Sequence, residues 1–129
     1  MLADLEAQLL SAASRLGPFA VGVRYVPLVG STNDVAAELA DRGAPHGTVV
    51  VADAQTAGRG RHGHHWFSPP GTGLYVSLLL RLMRPPAPLL TLATGVAVIE
   101  ALQTVAALDA SLEWPNDVVL MGDGPSRKV

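Results

Sequence analysis

Gly58, Gly60 and Gly63 fall within the run Gly58-Arg59-Gly60-Arg61-His62-Gly63-His64-His65-Trp66, directly after a β-branched segment, Thr48–Asp53. Glycine at that density weakens a regular element and frees the backbone for tight turns that bring several N–H groups near a ligand. The rest of the chain is therefore expected to fold as elements arranged around a loop at this place. Arg59 and Arg61 put fork-shaped positive charge on it, suited to carboxylate or phosphate. Trp66 adds a flat apolar face able to cover a base or close a pocket. An anionic, partly aromatic ligand wrapped by loop is the chemistry these residues suggest.

The charge distribution agrees. The net charge of the 129 residues is −2, which argues against a general nucleic-acid binder. No acidic residue lies between Asp53 and Glu100, whereas Arg59, Arg61, Arg81 and Arg84 all do, so a local anion site is favoured over a polyanion-binding face. Hydrophobic residues make up 49% and charged residues 16%, enough for one domain with a core and against wholesale disorder. There is no cysteine, hence no disulfide framework and no thiol chemistry. Asp4 and Glu6 stand where a signal peptide would be basic. Lys128 is the one lysine among the basic side chains.

Periodicity predicts a helix over Leu2–Leu16, ended by Gly17-Pro18, and a strand over Val21–Val29. Ser31-Thr32-Asn33-Asp34 offers N-caps for a helix to about Arg42. Thr48–Asp53 reads as a buried strand with Asp53 as its end cap, followed by the Gly/Arg loop and an apolar strand at Leu74–Leu82. Arg84–Pro88 is a proline-rich connector into a long helix, Leu89–Leu108. The uncharged part of that region, Pro85–Ile99, is shorter than the ~20 apolar residues of a membrane span, and Glu100 interrupts it, so a buried core helix is expected. Short strands at Ser111–Trp114 and Val118–Met121 flank Pro115-Asn116-Asp117, and Gly122–Pro125 turns into a strand beginning at Arg127-Lys128-Val129. The fold class is α+β with a mixed sheet flanked by helices. A strand starting at the last residues predicts a domain incomplete at its C-terminus.

Each loop has an ordinary reading too. Ser31-Thr32-Asn33 alone is a plain N-cap, Trp114-Pro115-Asn116-Asp117 a turn with a core Trp, and Tyr75 sheet packing. His62, His64 and His65 lack the i, i+4 spacing of common zinc pairs and read as solvent-facing loop residues.

Taken in order, Ser31-Thr32-Asn33, Gln55-Thr56-Ala57, Gly58-Arg59-Gly60-Arg61-His62-Gly63, Trp66-Phe67-Ser68-Pro69, Leu74-Tyr75-Val76-Ser77, Trp114-Pro115-Asn116-Asp117 and Arg127-Lys128 resemble the biotin protein ligase catalytic domain, an α+β fold of the class II aminoacyl-tRNA synthetase-like type. The resemblance covers most of the chain and implies activation of biotin by ATP with Mg2+ to biotinyl-adenylate. Transfer to a lysine of a biotin carboxyl carrier domain would follow. By resemblance, Arg59, Arg61 and Lys128 are catalytic, holding carboxylate and phosphate oxygens. Ser31, Thr32, Gln55, Gly58, Tyr75 and Ser77 bind biotin. Gly60, Gly63, Trp66, Asn116 and Asp117 lie on the nucleotide side, Asp117 being the candidate on the Mg2+ side. The same resemblance implies a cytoplasmic protein acting on neither DNA nor membrane, leaves a homodimer open, and predicts that residues 1–129 are part of the catalytic domain, with no N-terminal DNA-binding domain and no C-terminal barrel.

The chain departs from that family at two places: His64 stands where it usually has Arg, and Glu113 where it usually has Lys. Three alternatives remain open at this level. The chain is a non-catalytic fragment with weak or no biotin or adenylate binding, a lipoate ligase-like acyl transferase, or an RNA-binding Gly/Arg loop.

Overall fold

The computed structural model describes residues 2–20, 22–84, 88–122 and 124–129, and its contacts divide them into two compact units, Met1–Arg81 and Leu82–Val129. The predicted start of the first strand at Val21, much of the 84–88 connector, and Asp123 of the last turn lie outside the described residues.

In the first unit, α1 (Leu2–Leu16) leads through a short 3-10 turn to β1 (Val23–Val29), α2 (Thr32–Asp41), β2 (Val49–Arg59), β3 (His65–Ser68) and β4 (Tyr75–Leu78). β1 and β2 are parallel, in register from Val23↔Val49 to Val29↔Gln55, with α2 as the crossover that parallel neighbours require. The other edge of β2 is shared. β4 pairs antiparallel with its first half, Val49↔Leu78 to Ala52↔Tyr75, and β3 with its second, Gln55↔Ser68 to Arg59↔His65. β2 is thus the central strand, and Val50, Ala52 and Ala54 form its buried face by the period of two that strands impose.

Two expectations are corrected here. The strand at Thr48 does not end at Asp53 but continues to Arg59, and His65–Ser68 is a further strand, so the Gly/Arg run is the tip of a β-hairpin rather than a free loop. Between Gln55 and Gly58 the register shifts by one residue, so Thr56-Ala57 bulges against β3. Asp53 is accordingly mid-strand. Partial burial and then donation to the Asp53 carboxylate push the Tyr25 phenol above its ordinary value.

Arg81 is also placed otherwise than its charge suggested. Its Nη2 donates to Ala40 O at 2.9 Å and its Nε to Ala44 O at 2.8 Å, so it satisfies carbonyls at the C-terminal end of α2 instead of serving an anion site.

In the second unit, α3 (Pro88–Ala106) packs on a three-stranded antiparallel sheet of β5 (Ala110–Glu113), β6 (Asp117–Leu120) and β7 (Arg127–Lys128), with β6 in the middle. A Cβ on Gly95 would lie 2.2 Å from Leu112 Cδ1, so the helix sits this close to β5 only because that position has no side chain. The Trp114–Pro115 peptide bond in the β5–β6 turn is cis.

α3 is not the buried core helix expected. It runs unbroken through Glu100, Gly95 is its one buried residue, and Leu89 and Val105 are 71% and 86% exposed. By length and composition it meets the requirement for a membrane-crossing helix, as core helices of many proteins also do.

Candidate active site

The N-terminus of α2 and the second half of β2 bring four of the predicted residues into one hydrogen-bonded group. Ser31 is the N-cap of α2, with extended backbone (φ −153°, ψ 136°), and its Oγ accepts from Asn33 N at 3.3 Å. Thr32 then gives both its donors to Gln55 Oε1, the backbone N at 2.9 Å and Oγ1 at 3.1 Å. Ser77 Oγ on β4 lies 2.9 Å from Thr32 Oγ1 and 2.6 Å from Asn33 Oδ1. Gln55 Nε2 donates to Ser68 Oγ at 3.3 Å.

Proton counting orders this network. Thr32 spends its hydroxyl proton on Gln55, leaving Ser77 one proton for two acceptors; an Asn33 amide turned to donate to Ser77 gives each contact a proton. Gln55 Oε1 is saturated by two internal donors, so toward a ligand Gln55 offers the second N–H of Nε2. Ser31, Thr32 and Ser77 are all buried, at 2%, 4% and 7% exposure, and buried polar atoms are held this firmly because leaving one unpaired is costly.

The glycines of the hairpin are fixed by close approach. A Cβ on Gly58 would stand 2.9 Å from Ser68 Oγ, 3.0 Å from Gln55 Nε2 and 3.3 Å from Trp66 Cβ. One on Gly60 would stand 2.6 Å from Trp66 Nε1, so the indole lies against the bare backbone at that position. Gly60 N donates to His64 O at 2.7 Å, and the tip turns through His62 (φ 56°) and Gly63 (φ 78°), both in the left-handed region. Arg61 and the three histidines are exposed on this tip, and among the described residues no group of three or more His, Cys, Asp or Glu is placed to hold a metal ion.

Arg59, at the end of β2, is engaged by Asp34 of the first turn of α2. Nη1 donates to Oδ2 at 2.9 Å and Nη2 to Oδ1, a paired fork. Donation from Arg59 holds the Asp34 carboxyl below its usual range, and the same carboxylate holds the Arg59 guanidinium proton more tightly.

Tyr75 and Ser77 lie on one face of β4, as the i, i+2 spacing requires, but the Tyr75 hydroxyl donates to Pro69 O at 3.1 Å and ties down the β3–β4 turn. Asn33, Asp34 and Ser68 join the site without having been singled out for it. The run of polar residues capping α2 and the serine two positions after Trp66 were the signals present.

In the second unit, Asn116, Asp117 and Lys128 form their own cluster. Lys128 Nζ lies 2.7 Å from Asp117 Oδ1, which also accepts from Asn116 Nδ2 at 3.1 Å. Adjacent antiparallel strands, β6 and β7, hold the lysine and the aspartate together.

In chemical terms the first unit offers a buried, internally paired polar network with one Gln55 N–H to spare, next to a guanidinium at the end of the strand that leads into a glycine hairpin. The second offers an ammonium held by a carboxylate.

The model of the biotin/lipoate A/B protein ligase family matches residues 25–129. The bifunctional ligase/repressor BirA of Bacillus spizizenii is 44% identical over 100 residues, covering 76% of this chain and 31% of that protein. A biotin–[acetyl-CoA-carboxylase] ligase of Mycobacterium tuberculosis is 34% identical over 129 residues, covering 92% and 46%. Among solved structures, the Aquifex aeolicus biotin protein ligase in complex with biotin and ATP superimposes with a TM-score of 0.69 at 37% identity, covering 84% of this chain and 44% of that one. The α+β fold with a mixed sheet is thus the fold of these ligases, and the chain spans less than half the length of each of these three relatives.

Proposed function

The chain belongs to the biotin/lipoate A/B protein ligase family, and from that premise we propose that it supplies part of the catalytic domain of a biotin protein ligase. Attack of the biotin carboxylate on the α-phosphorus of ATP forms a P–O bond and expels pyrophosphate. The ε-amine of a carrier-domain lysine then attacks the acyl carbon of biotinyl-adenylate, AMP leaves, and the amine proton passes to solvent.

The observation that carries this reading is the Ser31–Thr32–Gln55–Ser77 network standing beside the Arg59 hairpin. A ureido ring is a neutral group of paired donors and an acceptor, suited to a recess whose polar atoms are already fixed. The carboxylate at the other end of the molecule requires positive charge to approach a triphosphate, and Arg59 and Arg61 provide it. Gly58 keeps the recess open beside Gln55, and the face of β4 carrying Tyr75 and Ser77 lines it. Trp66, lying on Gly60, is assigned to the adenine, and Gly60 and Gly63 to the nucleotide side with it. Lys128 is assigned to the carboxylate and the α-phosphate, and Asn116 and Asp117 to the nucleotide side.

Mg2+ enters with ATP as its substrate complex. Magnesium usually keeps waters and phosphate oxygens and takes few carboxylates, and Asp117 is the one assigned here. The reading gives no role to DNA or membrane, places the protein in the cytoplasm, and is compatible with a homodimer.

Biotin-dependent exchange of labelled pyrophosphate into ATP tests it, measured on the natural protein containing these residues. Exchange that requires biotin is expected; exchange supported by lipoate and not by biotin would assign the chain to the lipoate branch.

A further inference from the structure

We propose that Asp34 is a positioning residue for Arg59, fixing the guanidinium so that one edge remains open to a ligand oxyanion; this rests on the biotin reading above.

The contact uses the end of the guanidinium, one N–H from Nη1 and one from Nη2. Arginine has five N–H donors in a rigid plane. The Nε–H and the outer N–H of Nη2 therefore remain parallel on the side edge, spaced to match two oxygens of a carboxylate or phosphate. Asp34 and a ligand thus take different edges of the same group and are not rivals for it.

The anchoring point matters as much as the contact. Asp34 sits in the first turn of α2, where a carboxylate is favoured by the helix dipole, two residues after Thr32. Helix α2 consequently sets both the Gln55 amide, through Thr32, and the Arg59 guanidinium, through Asp34, from one rigid element. Strand β2, which carries both groups, spaces them, and α2 sets how each is turned toward its end of the ligand. The side chains of Arg59 and Asp34 are 47% and 59% exposed, so the pair adds little to folding, and its worth lies in holding a long side chain in one orientation.

Calorimetric titration of biotin and of its neutral alcohol analogue, biotinol, tests the role. Asp34→Ala should weaken biotin binding about tenfold, the size of one well-formed hydrogen bond, and leave biotinol unchanged. In an Arg59→Ala background the same substitution should do nothing further, and Asp34→Glu should recover part of the loss. The Arg59 Nε–H resonance, resolved in the wild type, should broaden or exchange faster in Asp34→Ala with no ligand present.

Equal loss for biotin and biotinol, unchanged biotin binding, or tighter biotin binding in Asp34→Ala overturns the proposal, as does an unaltered Arg59 Nε–H resonance. Failure of the wild type to bind biotin at all overturns the biotin reading instead, and the resonance still decides whether Asp34 fixes Arg59.

Discussion

Gln55 Oε1 accepts both donors of Thr32, the backbone N–H at 2.9 Å and the hydroxyl at 3.1 Å, so the first turn of α2 and the second half of β2 are fixed to each other through one amide oxygen. The hydroxyl is itself the acceptor for Ser77, at 2.9 Å and out of solvent. Thr32→Val keeps the shape and removes that link, leaving the Ser77 hydroxyl proton without its acceptor. A loss of about 1–3 kcal/mol in stability is expected, read from the midpoint of urea unfolding at unchanged slope. A midpoint equal to the wild type would show that the network contributes nothing to holding α2 on the sheet.

Gly58→Ala and Gly60→Ala should separate the two ends of the hairpin. At Gly58 the added methyl meets Ser68 Oγ and Gln55 Nε2, so the Gln55 amide must shift and biotin binding should weaken by about tenfold or more. At Gly60 it meets the Trp66 indole, so the fluorescence of Trp66 should change and ATP affinity should fall more than biotin affinity. Equal effects of both substitutions on both ligands would contradict the division of labour.

Much of this arrangement is legible in the sequence. The bounds of α1, the Ser31 cap of α2 and the late hairpins follow from apolar spacing and turn residues. The extension of β2 to Arg59 does not. Gln55-Thr56-Ala57-Gly58-Arg59 has no apolar alternation, and it is held as a strand by Val29 from β1 on one edge and by Ser68, Trp66 and His65 across the hairpin on the other. Asp34 and Arg59 are 25 positions apart, and which carboxylate a guanidinium meets at that separation is decided by topology. The exposure of α3 was hidden for another reason: a helix apolar on every side reads as a core helix, and its sequence carries no mark of which face packs.

The Asp34–Arg59 pair predicts an acid dependence with a definite sign. The folded-state carboxyl titrates below its unfolded value, so the unfolded chain takes up protons first as pH falls. The stabilisation is full above the unfolded value of about 3.9 and is lost as pH drops through the lowered folded value. Asp34→Asn should therefore lie only slightly below the wild type in urea midpoint near neutral pH, as an exposed pair allows, and converge with it in strong acid. Curves that stay parallel down to acid unfolding would show that the pair does not form in solution.

Lys128→Met removes the ammonium that lies 2.7 Å from Asp117 Oδ1 while keeping most of the side-chain volume. If that charge serves the reacting carboxylate and phosphate, kcat for pyrophosphate exchange should fall by about two to three orders of magnitude, the range seen when one charge-stabilising donor is lost. The Michaelis constant for biotin should move far less. A change confined to that constant would place Lys128 in binding alone.

The central claim, that biotin lies between the first turn of α2 and the hairpin ending at Arg59, is tested most directly by mapping backbone amide shifts while biotin is titrated into 15N-labelled protein. The account predicts saturable shifts largest at Thr32, Gln55, Gly58 and Arg59, with those of α1 and α3 unmoved. No saturable shift at these four, or the largest shifts elsewhere in the chain, would contradict it.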